Sequence, residues 1–255
     1  MQWTDIPEDE RRTLWEFAEN VARAGAGKTL EFFGKTINIE WKADESPVTQ
    51  ADRETELLMR SMIQTHYPAH AVHGEEFGSD EHGEFTWVLD PIDGTKSFIN
   101  GVPLYCSLVA LLYNGSPVIG VIINPPSGEM VSGCMNFNTH DENGAAVRAA
   151  EPDAQLRVYT SDFVGLTRNT PKWYPKLLEN RVIARTWGDA YGYMLIAKGR
   201  GDIMIDPELE LWDVAPLYPV LHGAGAILCS IEGKKDPLPR SAVALSPQLY
   251  QRLFS

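Results

Sequence analysis

Basic residues are scarce in this chain. Lys and Arg total 22 against 35 Asp and Glu in 255 residues, a formal net charge of −13. Nucleic acid and anionic membrane surfaces both demand a positive field, so neither is an expected partner. An anionic small substrate remains compatible, provided bound cations supply the missing positive charge. Cysteine is scarcer still. Cys106, Cys134 and Cys229 stand alone, with neither a disulfide framework nor a zinc spacing, and are expected to be buried reduced thiols. No apolar run approaches the roughly 18 residues that suggest a membrane span. Residues 1–11 are polar and acidic, without the basic and apolar regions of a secretory leader, so a cytoplasmic location is expected. Internal repeats and low-complexity tracts are absent.

What is present is ordinary globular composition. At 44% hydrophobic residues the chain can bury a sizeable core. Leu14, Phe17, Ala18, Val21 and Ala22 recur at helical spacing, and Gly25 or Gly27 is the expected end of that helix. An extended or turn segment at 45–49 leads into a second helix from about residue 51, with Leu58, Met59, Met62 and Ile63 on its apolar face and Pro68 stopping it. Residues 85–89, 107–113 and 118–123 read as strands, the last two joined by a turn at Asn114-Gly115. This half reads as helices followed by a largely antiparallel sheet. Beyond about residue 151 strands and helices alternate: strands at 156–160, 202–205 and 226–230, helices at 189–197, 214–222 and 246–254. The expected division is an α+β half over 1–150 and an α/β half over 151–255, joined as one compact unit.

The strongest chemical feature is Asp90-Pro91-Ile92-Asp93-Gly94-Thr95, directly after an apolar strand. Two carboxylates on a strand-to-helix turn can converge on one hard divalent cation. Gly94 permits close backbone approach, and amides opening a helix favour a phosphate. Alone, Asp-Gly-Thr is equally turn chemistry with a helix cap. Three further acidic stretches accompany it: Asp52 in Val48-Thr49-Gln50-Ala51-Asp52, Gly74-Glu75-Glu76, and Asp213 in Leu211-Trp212-Asp213.

Together these segments resemble the inositol monophosphatase superfamily of Mg²⁺-dependent, Li⁺-sensitive phosphatases, in its order and at about its separations over residues 48–213. The resemblance implies a layered αβαβα fold. It implies that Glu75, Asp90 and the Ile92 carbonyl bind a first metal, with Asp90, Asp93 and Asp213 on a second. A weaker third Mg²⁺ would sit on Glu75, and Mn²⁺ is a possible replacement. Thr95 paired with Asp52 would orient and deprotonate the attacking water. The Gly94 and Thr95 amides would hold the phosphate of a small phosphate monoester. The family habit also implies a homodimer.

Substrate choice falls to the second half. Arg185-Thr186-Trp187-Gly188-Asp189-Ala190-Tyr191-Gly192-Tyr193 resembles the histidinol-phosphate phosphatase branch, as do Lys96-Ser97-Phe98, Gly101-Val102-Pro103-Leu104-Tyr105 and Ile123-Asn124-Pro125-Pro126. Cys106 stands where that pattern has a small residue. Asp206, seven residues before Asp213, occupies the position where inositol-preferring relatives carry a sugar-contacting Glu. With Arg185 and Asp189 it is a candidate substrate contact, and Glu208 and Glu210 are further candidates. Three alternatives stay open. The chain is an inositol or broad sugar- or nucleotide-phosphate phosphatase, a phosphatase with a nucleophilic aspartate, or a non-catalytic metal- and phosphate-binding regulator. The second fits poorly, because two residues separate Asp90 from Asp93 where that motif has one.

Overall fold

The computed structural model describes residues 2–35, 39–41, 47–79, 83–168, 171–179 and 181–254. Part of the turn expected at 45–49 therefore lies outside the described residues. Helix α1 (Glu8–Leu30) buries Leu14, Phe17, Ala18, Val21 and Ala22 as its spacing predicts. It does not stop at Gly25 or Gly27. A Cβ at Gly25 would lie 2.9 Å from the Met59 sulfur, so this glycine serves a close helix–helix crossing rather than a terminus. The crossing partner is α2 (Gln50–His66). Met59 and Ile63 of α2 are buried, but Leu58 is 38% exposed. The inward stripe of α2 runs instead through Asp52, Thr55, Glu56 and Arg60.

Strand β1 (Ile39–Trp41) pairs with β2 (Pro47–Thr49). The main sheet uses β3 (Ala71–Gly74), β4 (Gly78–Ser79), β5 (Phe85–Asp93), β6 (Cys106–Tyr113), β7 (Ser116–Ile123), β8 (Met130–Cys134) and β9 (His140–Asp141), with the short helix α3 (Thr95–Ile99) after β5. Among the described residues its order is β4-β3-β5-β6-β7-β8-β9. Pairing is antiparallel throughout except between β3 and β5. Asn114 and Gly115 both take positive φ, 49° and 78°, which matches the twist of the β6–β7 hairpin.

The second sheet combines β10 (Gln155–Thr160), β11 (Arg181–Arg185), β12 (Ile203–Asp206), β13 (Ile227–Cys229) and β14 (Ala242–Leu245), in the order β11-β10-β12-β14-β13. Helices α4 (Phe163–Arg168), α5 (Tyr174–Leu178), α6 (Asp189–Ala197), α7 (Leu211–Val214), α8 (Leu217–Gly223) and α9 (Pro247–Phe254) complete this half. The helix expected over 214–222 is thus two short helices. Because α8 starts only at Leu217, Pro219 falls in its first turn, where a missing N–H costs little.

The elements stack in five layers. Helices α1 and α2 cover one face of the main sheet, and α6 and α8 lie between the two sheets. On the far face of the second sheet, residues of α4, α5 and α9 close an apolar core that includes Leu166, Leu177, Leu249 and Leu253. Close approach in the middle is set by glycines of the main sheet. A Cβ at Gly120 would lie 2.1 Å from the Pro216 carbonyl oxygen, and one at Gly133 would lie 2.6 Å from that of Pro219. All three cysteines are buried and unbridged. Among the described residues no helix is long and apolar enough to cross a membrane.

Candidate active site

Asp90 and Asp93 both lie on β5, three positions apart. In a regular strand side chains alternate, so residues at odd separation face opposite sides. The register resolves this. Asp90 pairs with Leu108 but Asp93 pairs with Cys106, so β5 carries one extra residue between them. That bulge turns both carboxylates to one side. The bulge is held locally, because the Ile92 amide donates to Asp90 Oδ1 at 3.0 Å and Ser107 Oγ donates to the Pro91 carbonyl at 2.6 Å. Gly94 then takes φ +86° and caps α3. A Cβ there would sit 2.9 Å from Asp189 Oδ2 as well as straining the backbone, so only glycine fits.

The parallel β3–β5 pair ends on the same edge of the sheet, with Gly74 beside Leu89. The Glu75 amide donates to the Leu89 carbonyl at 3.3 Å, bringing Glu75 to the cleft that Asp90 lines. Asp213 arrives from the other half. It closes the first turn of α7, where the Glu210 amide donates to Asp213 Oδ2 at 2.8 Å. Oxygen atoms of Asp90, Asp93 and Asp213 all fall within 4.8 Å of one another. Glu75 lines the same cleft outside this tight group. The cleft, about 300 Å³, is also lined by Ile92, Gly94, Thr95, Lys96, Asp189, Glu210 and Trp212.

Burial and mutual charge shift the acids of this cluster together. Burial, then the charges of Glu75, Asp93 and Asp213, push the Asp90 carboxyl well above its usual range. Asp93 is pushed up likewise by burial and by Asp189 and Asp213. Asp213 rises to about 7, through burial and the Glu75 and Asp206 charges, against the opposing Glu210 amide. Three carboxylates crowded this closely repel strongly without a cation. An all-oxygen donor set suits a hard divalent ion, so these residues can hold a metal.

The expected pairing of Thr95 with Asp52 is not formed. The Thr95 hydroxyl donates to the Ile92 carbonyl at 3.1 Å, not to Asp52. The Asp52 carboxylate instead receives the Thr49 amide at 2.8 Å and the Thr49 hydroxyl at 2.6 Å, because the two residues form the capping box that opens α2. Asp52 still belongs to the acidic neighbourhood. It is 1% exposed, and burial together with the Glu76 and Glu75 charges carries it to about 7.

Asp189 and Asp206 do converge on the cluster. Asp189 begins α6 in a left-handed conformation at φ +52°, and the next amide, Ala190, donates to Asp93 Oδ2 at 2.5 Å. The start of α6 is thus tied directly to the β5 bulge. Asp206, at the end of β12, lines a smaller recess of about 90 Å³ with Asp93, Ser161, Asp189, Tyr193, Glu208 and Asp213. Ser161 donates to Asp206 Oδ1. Asp206 Oδ2 and the Tyr193 hydroxyl are both buried and interact with each other. Burial and the charge of Asp189 carry Asp206 to about 7 despite Ser161. Burial and the Asp206 charge push the Tyr193 phenol up.

Arg185 does not reach the site. It lies on β11, the outer strand of the second sheet, exposed, with its guanidinium on the neighbouring Ala184 carbonyl. Its signal was membership of the 185–193 stretch that resembles the histidinol-phosphate phosphatase branch, and the end of β11 places it outside the residues lining the acidic cleft and recess. Tyr193 and Ser161 were not singled out individually as site residues. Tyr193 was legible as the i+4 neighbour of Asp189 on a helix. Ser161 was not, because only the second sheet brings β10 beside β12. Cys106 is fully buried beside the bulge, where burial and the Asp93 and Asp189 charges hold its thiol protonated.

Comparison with known proteins agrees with this geometry. Residues 10–255 match the inositol monophosphatase family. A histidinol-phosphatase of Chlorobaculum parvum is 37% identical over 219 residues, covering 83% of each chain. One of Mycobacterium tuberculosis is 33% identical over 247 residues, covering 91% of this chain and 93% of its own. The solved inositol monophosphatase of Zymomonas mobilis superposes with a TM-score of 0.80 at 29% identity, covering 97% of this chain and 96% of that one. With the family match spanning nearly the whole chain and relatives above 30% identity over most of their length, the chain belongs to the inositol monophosphatase family.

Proposed function

We propose that this phosphatase is Mg²⁺-dependent and hydrolyses a phosphate monoester carrying a nearby ammonium group, with L-histidinol phosphate the best-fitting substrate. The observation that carries the reading is the recess beside the metal cluster. There Asp206 is buried against the Tyr193 hydroxyl, Asp189 adds a second acid, and no basic side chain is among the lining residues. A cationic amino alcohol would satisfy these groups, whereas a neutral polyol would leave buried anionic charge uncompensated. The relatives named histidinol-phosphatase support the same choice.

Glu75, Asp90 and the Ile92 carbonyl, and Asp90, Asp93 and Asp213, would hold the metal ions. When bound, such ions neutralise phosphate oxygens, lower the pKa of a water and stabilise the leaving alkoxide. The chain's own residues do the positioning. Gly94 and Thr95 present amides at the start of α3 to the phosphate. The Thr95 hydroxyl, released from the Ile92 carbonyl, would turn toward the attacking water with Asp52 as proton acceptor. No side chain serves as nucleophile, so displacement is direct and in line. The half over 1–150 supplies Glu75, Asp90 and Asp93, and the half over 151–255 supplies Asp213 and the substrate acids. A homodimer, on family resemblance, and a cytoplasmic location, on the three unbridged buried thiols, complete the proposal.

The test is phosphate release with Mg²⁺ on L-histidinol phosphate, inositol 1-phosphate, fructose 1,6-bisphosphate and adenosine 3′,5′-bisphosphate. Histidinol phosphate should lead in kcat/KM by about a hundredfold, roughly 2.7 kcal/mol of differential transition-state binding. If inositol phosphate leads, or all four are similar, the metal chemistry stands and the ammonium reading falls.

A further inference from the structure

The loop that carries Glu75 is held from below by α2. Glu56 is 0% exposed, an acid one turn beyond Asp52 on the same helix. Its carboxylate accepts the Glu76 amide at 2.8 Å and the Phe77 amide at 3.3 Å. Arg60, one turn on, donates from Nε to Glu56 Oε1 at 2.7 Å. The same guanidinium donates to the Gly78 carbonyl, and its other arm lies 3.5 Å from the Val72 carbonyl. The pair therefore grips the backbone on both sides of Glu75, from β3 through to β4. Gly74 makes the grip possible. A Cβ there would lie 2.0 Å from Glu56 Oε1 and 2.3 Å from the carboxyl carbon. The contact surfaces fit only when residue 74 lacks a side chain.

A buried charge pair of this kind is a poor source of stability, since desolvation offsets most of its attraction. It is well suited to fixing geometry, because partners of the ligand-bearing backbone tune metal affinity. We propose that Glu56 and Arg60 are positioning residues. They lock the Gly74-Glu75-Glu76-Phe77 turn so that the Glu75 carboxylate faces Asp90 across the cleft, and thereby set the affinity of the metal ion shared by those two acids. This rests on the metal-site reading above. Neither residue touches substrate. Their effect passes through the backbone of the turn.

The test compares the wild type with Glu56→Gln, Gly74→Ala and the exposed helix control Glu54→Gln. Glu56→Gln keeps the shape but weakens acceptance of two amides, and Gly74→Ala displaces the same carboxylate from the loop side. Three quantities are read in each protein: Mg²⁺ affinity by calorimetry without substrate, kcat at saturating Mg²⁺, and hydrogen exchange at the Glu76 and Phe77 amides. Glu56→Gln and Gly74→Ala should each weaken Mg²⁺ binding about 10- to 100-fold. Both should speed exchange at those amides and leave kcat at saturating metal within about threefold, while Glu54→Gln changes nothing. Unchanged Mg²⁺ affinity in folded Glu56→Gln and Gly74→Ala proteins would overturn the proposal. So would unchanged exchange at the two amides. If the wild type itself binds no Mg²⁺, the metal-site reading fails and the affinity part of this proposal fails with it. Exchange at Glu76 and Phe77 then still decides whether the clamp exists.

Discussion

The crowded carboxylates make a quantitative demand on stability. Asp206 and Asp52 are each 1% exposed and each carried from 3.8 to about 7. A folded-state pKa above the unfolded one means that the native state binds more protons, so stability falls as pH rises. The loss begins near pH 4, where the unfolded chain ionises, and is complete above about 7. One carboxyl moved by about three units is worth roughly 4 kcal/mol at 1.36 kcal/mol per unit. Burial is the largest cause at both acids, and their charged neighbours, Glu75 at Asp52 and Asp189 at Asp206, also act on Asp90 and Asp93, so the shifts across the cluster are not independent. The expected loss is therefore about 4 kcal/mol for the cluster, not that figure multiplied by its members. At about 2 °C per kcal/mol for a chain of this size, the metal-free Tm should drop by about 8 °C between pH 4.5 and pH 8. Mg²⁺ at a hundred times its Kd should restore about 2.7 kcal/mol, near 5 °C, at pH 8. At pH 5 the gain should nearly vanish, because the ion must displace protons from its ligands. Differential scanning fluorimetry with EDTA or MgCl₂ across that range reads both numbers. A metal-free Tm that is flat or rises with pH, or a Mg²⁺ gain independent of pH, would refute the account of a cluster strained by its own charge.

Further outcomes follow from the same geometry. Asp93→Asn and Asp213→Asn should each abolish phosphate release while raising the metal-free Tm, since each removes one of three repelling acids. Near-normal turnover at saturating Mg²⁺ would remove that residue from the metal set. Li⁺ should inhibit turnover, and full activity at high Li⁺ would argue for an altered second metal site. Asp206→Asn should raise KM for histidinol phosphate about 10- to 100-fold, the cost of a lost charge-assisted contact of about 1.5–3 kcal/mol. A generic aryl phosphate should be little affected, and equal effects on both esters would make Asp206 structural. Gly120→Ala should cost about 1–3 kcal/mol by overpacking, because its Cβ meets the Pro216 carbonyl at 2.1 Å. A loss below about 0.5 kcal/mol in chemical denaturation would show that α8 moves freely on the sheet.

Local chemistry made much of this protein legible in its sequence. Apolar periodicity marked α1, and two apolar runs around Asn114-Gly115 marked the β6–β7 hairpin, because such patterns serve burial and turn geometry at short range. The acidic segments, taken with the family resemblance, pointed to the carboxylates that the fold gathers. Where local signals failed, a tertiary demand had overridden them. Gly25 looked like a helix end and proved to be a crossing point against Met59. Thr95 and Asp52 looked like partners, yet each is satisfied by a nearer neighbour, Ile92 and Thr49. Arg185 is close to Asp189 in the chain but is not among the residues lining the acidic cleft or recess. The sequence by itself determined which residue types gather, and so the class of chemistry. The tertiary structure alone decided their convergence. A one-residue bulge turned Asp90 and Asp93 to the same side, parallel pairing brought Glu75 beside them, and glycine-sized gaps let the second half deliver Asp213, Asp206 and Tyr193. Those arrangements depend on register and on contacts between segments far apart in the chain, which no local pattern encodes.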